Sequence, residues 1–238
     1  MLVGLICLPS LAAPVWGQET SGFGGVQSLG FSVSYSPDSS HILIGDAGQR
    51  RIWTAGAEYT HLLRQLQIFR LDYEASLMPF FLESDPTVTG TFFTVDGATF
   101  NMPQSPVRVV RVDHGPVGTV STGSGSPTPL YALFGRENSY AVAVCPLGGR
   151  INALPRSRIQ PSFAVDLGFI ASARDLPIDQ SSQFNFTFAM GPGIQFFPDA
   201  RTSLRIEYIY RHISNAGLGA QNPGIDQGVV RLTVSRHR

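Results

Sequence analysis

His212 and Ser214 stand two residues apart in an alternating apolar/polar run, and Asp226 opens the next such run. On a strand, residues two apart leave the same face, separated along the chain by roughly 6.6 Å at about 3.3 Å per residue. An imidazole can bridge that gap to a serine hydroxyl. Between the runs lies a Gly/Asn/Pro-rich loop, and a carboxylate just beyond it can hold the imidazole. A base, a nucleophile and an orienting acid are the parts of an acyl-transfer site. A bare His-x-Ser is common on strands and turns, so its meaning depends on the elements that position it.

Those elements follow period two, and no long stretch carries a clean helical period. Eight alternating stretches recur, at 30–36, 51–63, 67–78, 140–152, 158–171, 184–197, 202–213 and 227–235. One face of each is bulky and apolar, with residues such as Trp53, Phe69, Phe163, Phe186 and Ile206. The opposite face carries Glu58, Arg70, Glu74, Asp166, Arg205, Glu207 and Arg231, or small residues. A soluble lipocalin-like barrel would turn the apolar face inward; a membrane barrel turns it to lipid.

Three features favour the membrane. The strands are near the ~9–11 residues that cross a bilayer at a tilt. The polar face holds both signs of charge, as a small closed lumen of ion pairs would. Short links at 63–66, 153–157 and 198–201 alternate with long ones at 37–50, 80–139, 172–183 and 214–226. Short periplasmic turns and long external loops alternate in this way in outer-membrane barrels. The expected fold is therefore all-β, an eight-stranded antiparallel up-and-down transmembrane barrel. Its third and fourth strands are joined by a long external loop, 80–139, expected to be a partly ordered lid. Residues 18–238 make one barrel domain.

Composition agrees. Charged residues are only 14% of the chain, against about 25% in soluble domains. The 17 basic residues, all arginine, balance 17 acidic ones, which leaves no basic footprint for nucleic acid. Residues 1–17 read as a secretory signal peptide: an apolar run too short to span, then Val15-Trp16-Gly17 before Gln18. Removing it leaves Cys145 as the single cysteine, so no intramolecular disulfide is possible. No His/Cys/Asp cluster has metal-ligand spacing, and no cofactor is expected. Asp113-His114 reads as a solvated pair in the long loop.

By parity, His212 and Ser214 leave the face of Leu204, Ile206, Tyr208 and Tyr210, and Asp226 leaves that of Val230, Leu232 and Val234. In a membrane barrel all three then point outward at the external rim, where isolated polar groups are costly unless they serve one another.

The segment His212-Ile213-Ser214-Asn215-Ala216-Gly217, completed by Asn222-Pro223-Gly224-Ile225-Asp226, resembles the signature of the lipid A 3-O-deacylases. Weaker similarity includes Arg50-Arg51-Ile52-Trp53 and Phe184-Asn185-Phe186-Thr187-Phe188. The resemblance implies an outer-membrane serine esterase that removes the ester-linked 3-hydroxyacyl chain of lipid A. It implies Ser214 as nucleophile, His212 as general base and Asp226 as the acid of a Ser-His-Asp triad. Asn215 becomes a candidate oxyanion donor, with backbone N–H groups at Ala216 and Gly217. The best-known members carry glutamate where Asp226 stands, so Asp226→Glu is expected to keep or raise activity. The implied partners are lipopolysaccharide of the outer leaflet and the outer membrane itself; a homodimer is left open. The alternatives are a non-catalytic outer-membrane barrel, adhesive or membrane-stabilising, and a soluble carrier.

Overall fold

Alternation decides the architecture. The computed structural model describes residues 22–123 and 126–238, so the signal-peptide expectation lies outside the described residues. Ten strands form: β1 (Gln27–Ser36), β2 (Arg51–Gln65), β3 (Phe69–Val95), β4 (Ala98–Arg108), β5 (Pro116–Val120), β6 (Thr128–Ala153), β7 (Ile159–Leu176), β8 (Ser182–Asp199), β9 (Thr202–Ser214) and β10 (Ile225–His237). All pairings are antiparallel. The ring runs β3-β2-β1-β10-β9-β8-β7-β6 and closes by pairing β3 with β6. Eight strands therefore make the barrel.

The stagger of the ring follows from its register. From Gly228, partners run through Tyr210, Met190, Val165, Gly149, Tyr73, His61 and Gln27 to Arg238. The circuit returns to its starting strand ten residues further along. A ring with such a stagger tilts its strands, typically by about 35–45°.

The faces sort as charge requires. Trp53, Phe69, Phe163, Phe186 and Ile206 are exposed on the outer wall. Glu58, Arg70, Glu74, Asp166, Arg205, Glu207 and Arg231 are buried in the lumen. There Arg150 meets Glu207 at 3.1 Å and Glu58 at 3.5 Å. Arg231 meets Glu207 at 2.6 Å and Asp166 at 3.0 Å, and Arg205 also pairs with Glu58. Buried charges are tolerable only when paired like this. The lumen is filled by an ionic plug, while the exposed apolar wall has the composition of a lipid-facing surface.

Residues 80–139 differ from expectation. They are not mainly loop: β3 and β6 run on as a paired hairpin as far as Phe92↔Tyr131, with β4 and β5 flanking its edges. Past its buried base the hairpin stands beyond the barrel, and its flanking strand β4 is exposed on both faces as far as Val107. Selection for an apolar face lapses there, so the period-two signal disappears from the sequence. Pro103, Pro106, Pro116 and Pro129 fall on β4, β5 and the far end of β6, where edge positions tolerate the missing N–H. The link expected at 172–183 shrinks to 177–181, because β7 and β8 extend toward each other.

Candidate active site

β9 and β10 bring the three candidate residues to the outer wall, at the end of the barrel that carries the hairpin extension. Their register places His212 opposite Asp226. His212 Nδ1–H donates to Asp226 Oδ1 at 2.7 Å. That bond commits Nδ1 to donate and leaves Nε2 as the acceptor, the form a general base requires. Tyr210, one pleat below on the same face, donates its hydroxyl to the same carboxylate oxygen at 2.9 Å.

Asp226 points outward yet its side chain is 0% exposed, whereas His212 keeps 15%. The loop between β1 and β2, residues 37–50, folds over the carboxylate. Leu43 N–H and Ile44 N–H donate to Asp226 Oδ2 at 2.6 and 2.9 Å. Ser40 N–H reaches Asp226 O at 3.1 Å, Asp46 N–H reaches Pro223 O at 2.6 Å, and Ala47 N–H reaches Gly224 O at 3.0 Å. Four donors thus converge on a group that accepts on both oxygens, as an ionised carboxylate does. The approach is close: a Cβ on Gly45 would lie 2.6 Å from Asp226 N. Only glycine lets the backbone pass there.

The loop is itself anchored. Arg50, buried, donates to Gly48 O at 2.8 Å, and to Val110 O and Val109 O at 2.7 Å each. Its charge is met by Asp85 at 3.2 Å and Glu83 at 3.5 Å. The base of the hairpin extension therefore holds the loop that holds the acid.

Ser214 ends β9 on the outward face with His212. Its hydroxyl donates to Asn222 Oδ1 at 3.1 Å rather than to the imidazole. Asn215 N–H donates to the same oxygen at 3.1 Å, which fixes the orientation of the Asn222 amide. Ala216 N–H donates to Ser214 Oγ at 3.2 Å. Asn215 is buried on the inward face; its amide donates to Gln221 O at 2.7 Å and its oxygen accepts from Gly217 N–H at 2.9 Å. Ala216 and Gly217 both take left-handed backbone angles, φ 51° and 82°, which turn the chain sharply away from the strand.

The structure thus joins His212 to Asp226 and sets Ser214 beside them. Sequence reasoning gave no role to Tyr210, to Asn222, or to the Leu43–Gly45 backbone. Asn222 lies within the signature segment and was there to be noticed. The backbone donors carry no side-chain signal at all. Beside the site, β8 lays Phe188 opposite His212 and Phe186 opposite Ser214, an apolar surface next to the polar groups. Among the described residues no group of three or more His, Cys, Asp or Glu is arranged to hold a metal ion.

Comparison with known families matches residues 154–235 to the model of PagL, described as lipid A 3-O-deacylase. The matched segment is the last four barrel strands and contains all three candidate residues. The chain is an outer-membrane-type eight-stranded barrel whose last four strands match the PagL family model.

One solved structure shows the same fold. The crystal structure of the outer membrane enzyme PagL aligns with TM-score 0.52 at 14% identity, over 86% of this chain and 97% of that one. Neisserial surface protein A aligns at 9% identity and TM-score 0.46, over 90% and 99% of the two chains. The outer membrane protein OprG from Pseudomonas aeruginosa aligns at 12% and 0.43, over 92% and 99%. No curated protein matches the sequence. The PagL family match spans β7 to β10 and so includes the rim site.

Proposed function

We propose that this PagL-type barrel is a serine esterase that hydrolyses the ester-linked 3-hydroxyacyl chain at the 3-position of lipid A. The observation that carries the reading is the 2.7 Å bond between His212 Nδ1 and Asp226, with Ser214 on the same outward face.

Ser214 is the nucleophile. Rotation about its one side-chain torsion, between staggered wells, exchanges Asn222 for His212 Nε2 as the acceptor of its proton. As Oγ bonds to the ester carbonyl carbon, Nε2 takes that proton. Asp226 keeps the tautomer and stabilises the imidazolium. Ala216 N–H, already on Ser214 Oγ, supports the oxyanion, together with the turn at Gly217. Asn215 braces that turn from inside through both ends of its amide. Collapse of the intermediate breaks the bond to the sugar oxygen, which takes the proton from His212. Water then cleaves the acyl-enzyme by the same steps and frees the fatty acid. No metal enters the scheme. The acyl chain lies against Phe186 and Phe188, so the substrate arrives within the plane of the outer leaflet.

The test uses lipid A in detergent micelles with mass spectrometry of the products. Ser214→Ala and His212→Ala are each expected to abolish release of free 3-hydroxy fatty acid while the barrel still migrates as a heat-modifiable folded species. A fluorophosphonate probe should label wild type and not Ser214→Ala. Full activity in Ser214→Ala would end the serine-hydrolase reading, and an unlabelled wild type that releases no fatty acid would mean a non-catalytic barrel.

A further inference from the structure

The loop over Asp226 has a second property. It is closed at its base, where Gln49 N–H donates to Ser39 O at 2.8 Å and Ser39 Oγ–H donates to Ala47 O at 2.8 Å. This is a compact Ω-type loop, a form often functional. Its tip is Ile42-Leu43-Ile44, exposed by 45%, 59% and 66%. Three consecutive exposed aliphatic residues are out of place in a loop that meets water. Polar His41 and Asp46 flank the tip, and their side chains are exposed as well.

The tip lies on the outer wall, since two of its N–H groups reach the outward-pointing Asp226. Further down β10 the same face continues as exposed Val230, Leu232 and Val234, which face lipid. Leu218, in the loop between β9 and β10, adds another exposed aliphatic side chain close to the site. The apolar tip is therefore continuous with a surface whose partner is hydrocarbon.

We infer that Ile42, Leu43 and Ile44 seat in the acyl region of the outer leaflet, so that a membrane-immersed strap carries the backbone donors of Asp226. Lipid, rather than a protein partner, is the occupant because the tip extends a lipid-facing wall. The strap's second role, positioning the acid for catalysis, rests on the deacylase reading; its lipid contact does not.

The experiment places a nitroxide label at Ile42→Cys, Leu43→Cys or Ile44→Cys, each in the chain with Cys7→Ala and Cys145→Ala. The proteins are refolded into phosphatidylcholine vesicles, and heat-modifiable migration selects closed barrels. The expected result is that oxygen relaxes all three labels more than a water-soluble nickel chelate does, as at Val230→Cys. Asp113→Cys, on the hairpin extension, should show the reverse. Labels at 42–44 that follow Asp113, or that neither reagent reaches, overturn the proposal. Repeating the measurement with Ser214→Ala separates the two readings, because lipid contact does not depend on turnover. For the positioning role, Ile42→Asp is expected to slow deacylation of lipid A in vesicles at least tenfold, and an unchanged rate refutes that role.

Discussion

Replacing Asp226 by glutamate tests how tightly the strap closes on the acid. In the structure the carboxylate is 0% exposed. One oxygen receives His212 and Tyr210 at 2.7 and 2.9 Å, and the other receives Leu43 and Ile44 at 2.6 and 2.9 Å. A Cβ on Gly45 would stand only 2.9 Å from Asp226 Cγ, so the strap leaves no slack on that side. Glutamate moves the carboxylate by about 1.5 Å, one carbon–carbon bond. The four donors cannot all follow. Overpacking of this kind costs about 1–3 kcal/mol. If that cost falls on the aligned state of His212, the rate drops about 5- to 150-fold, at about 1.4 kcal/mol per decade. The structure therefore reverses what the family's glutamate alone suggests. Asp226→Ala, which removes the orienter without crowding the strap, is the companion variant. The assay is release of 3-hydroxy fatty acid from lipid A in micelles, with heat-modifiability to verify folding. A glutamate variant at or above wild-type rate would refute the closed-pocket argument.

Other variants probe separate parts. Tyr210→Phe deletes one of four donors to Asp226 and is expected to lower the rate about three- to tenfold, less than a full charged hydrogen bond of about 1.5–3 kcal/mol, because the others remain; the same assay measures it. Gly224 has φ +61°, and a Cβ there would lie 3.1 Å from His212 Cε1, so Gly224→Ala should tilt the ring and cost about 10- to 100-fold with the barrel intact. Arg150→Ala strands Glu58, Glu74 and Glu207 in the lumen and is expected to destabilise the barrel by about 3–5 kcal/mol, read as a lowered urea midpoint in micelles.

The eight barrel strands and their two faces were legible because lipid on one side and ion pairs on the other enforce strict alternation. Val165 and Asp166, or Ile206 and Glu207, cannot exchange places without exposing charge to hydrocarbon. The outer part of the hairpin extension was not legible, since exposure of both faces of β4 imposes no pattern. At the site, parity correctly put His212, Ser214 and Asp226 outward. Parity could not foresee that Asp226 would be covered, because the cover is made by main-chain N–H groups 183 and 182 residues away. Any residue with a backbone can supply such a donor. The one trace left in the sequence is Gly45, and a lone glycine in a loop is not specific.

The strap belongs to the first hairpin of the chain and Asp226 to the last. They become neighbours only because β1 pairs with β10, with Tyr35 opposite Val230. In a flat, unclosed sheet the same two strands would be opposite edges, about 34 Å apart at about 4.8 Å per strand spacing. The seam that shuts the cylinder is thus also the joint that completes the acid's environment. Under the proposed function, assembly doubles as activation: a chain still in transit, or an insertion intermediate with its edges apart, carries His212 and Ser214 but no strap over Asp226. The proposed hydrolytic site is then complete only where the cylinder has closed.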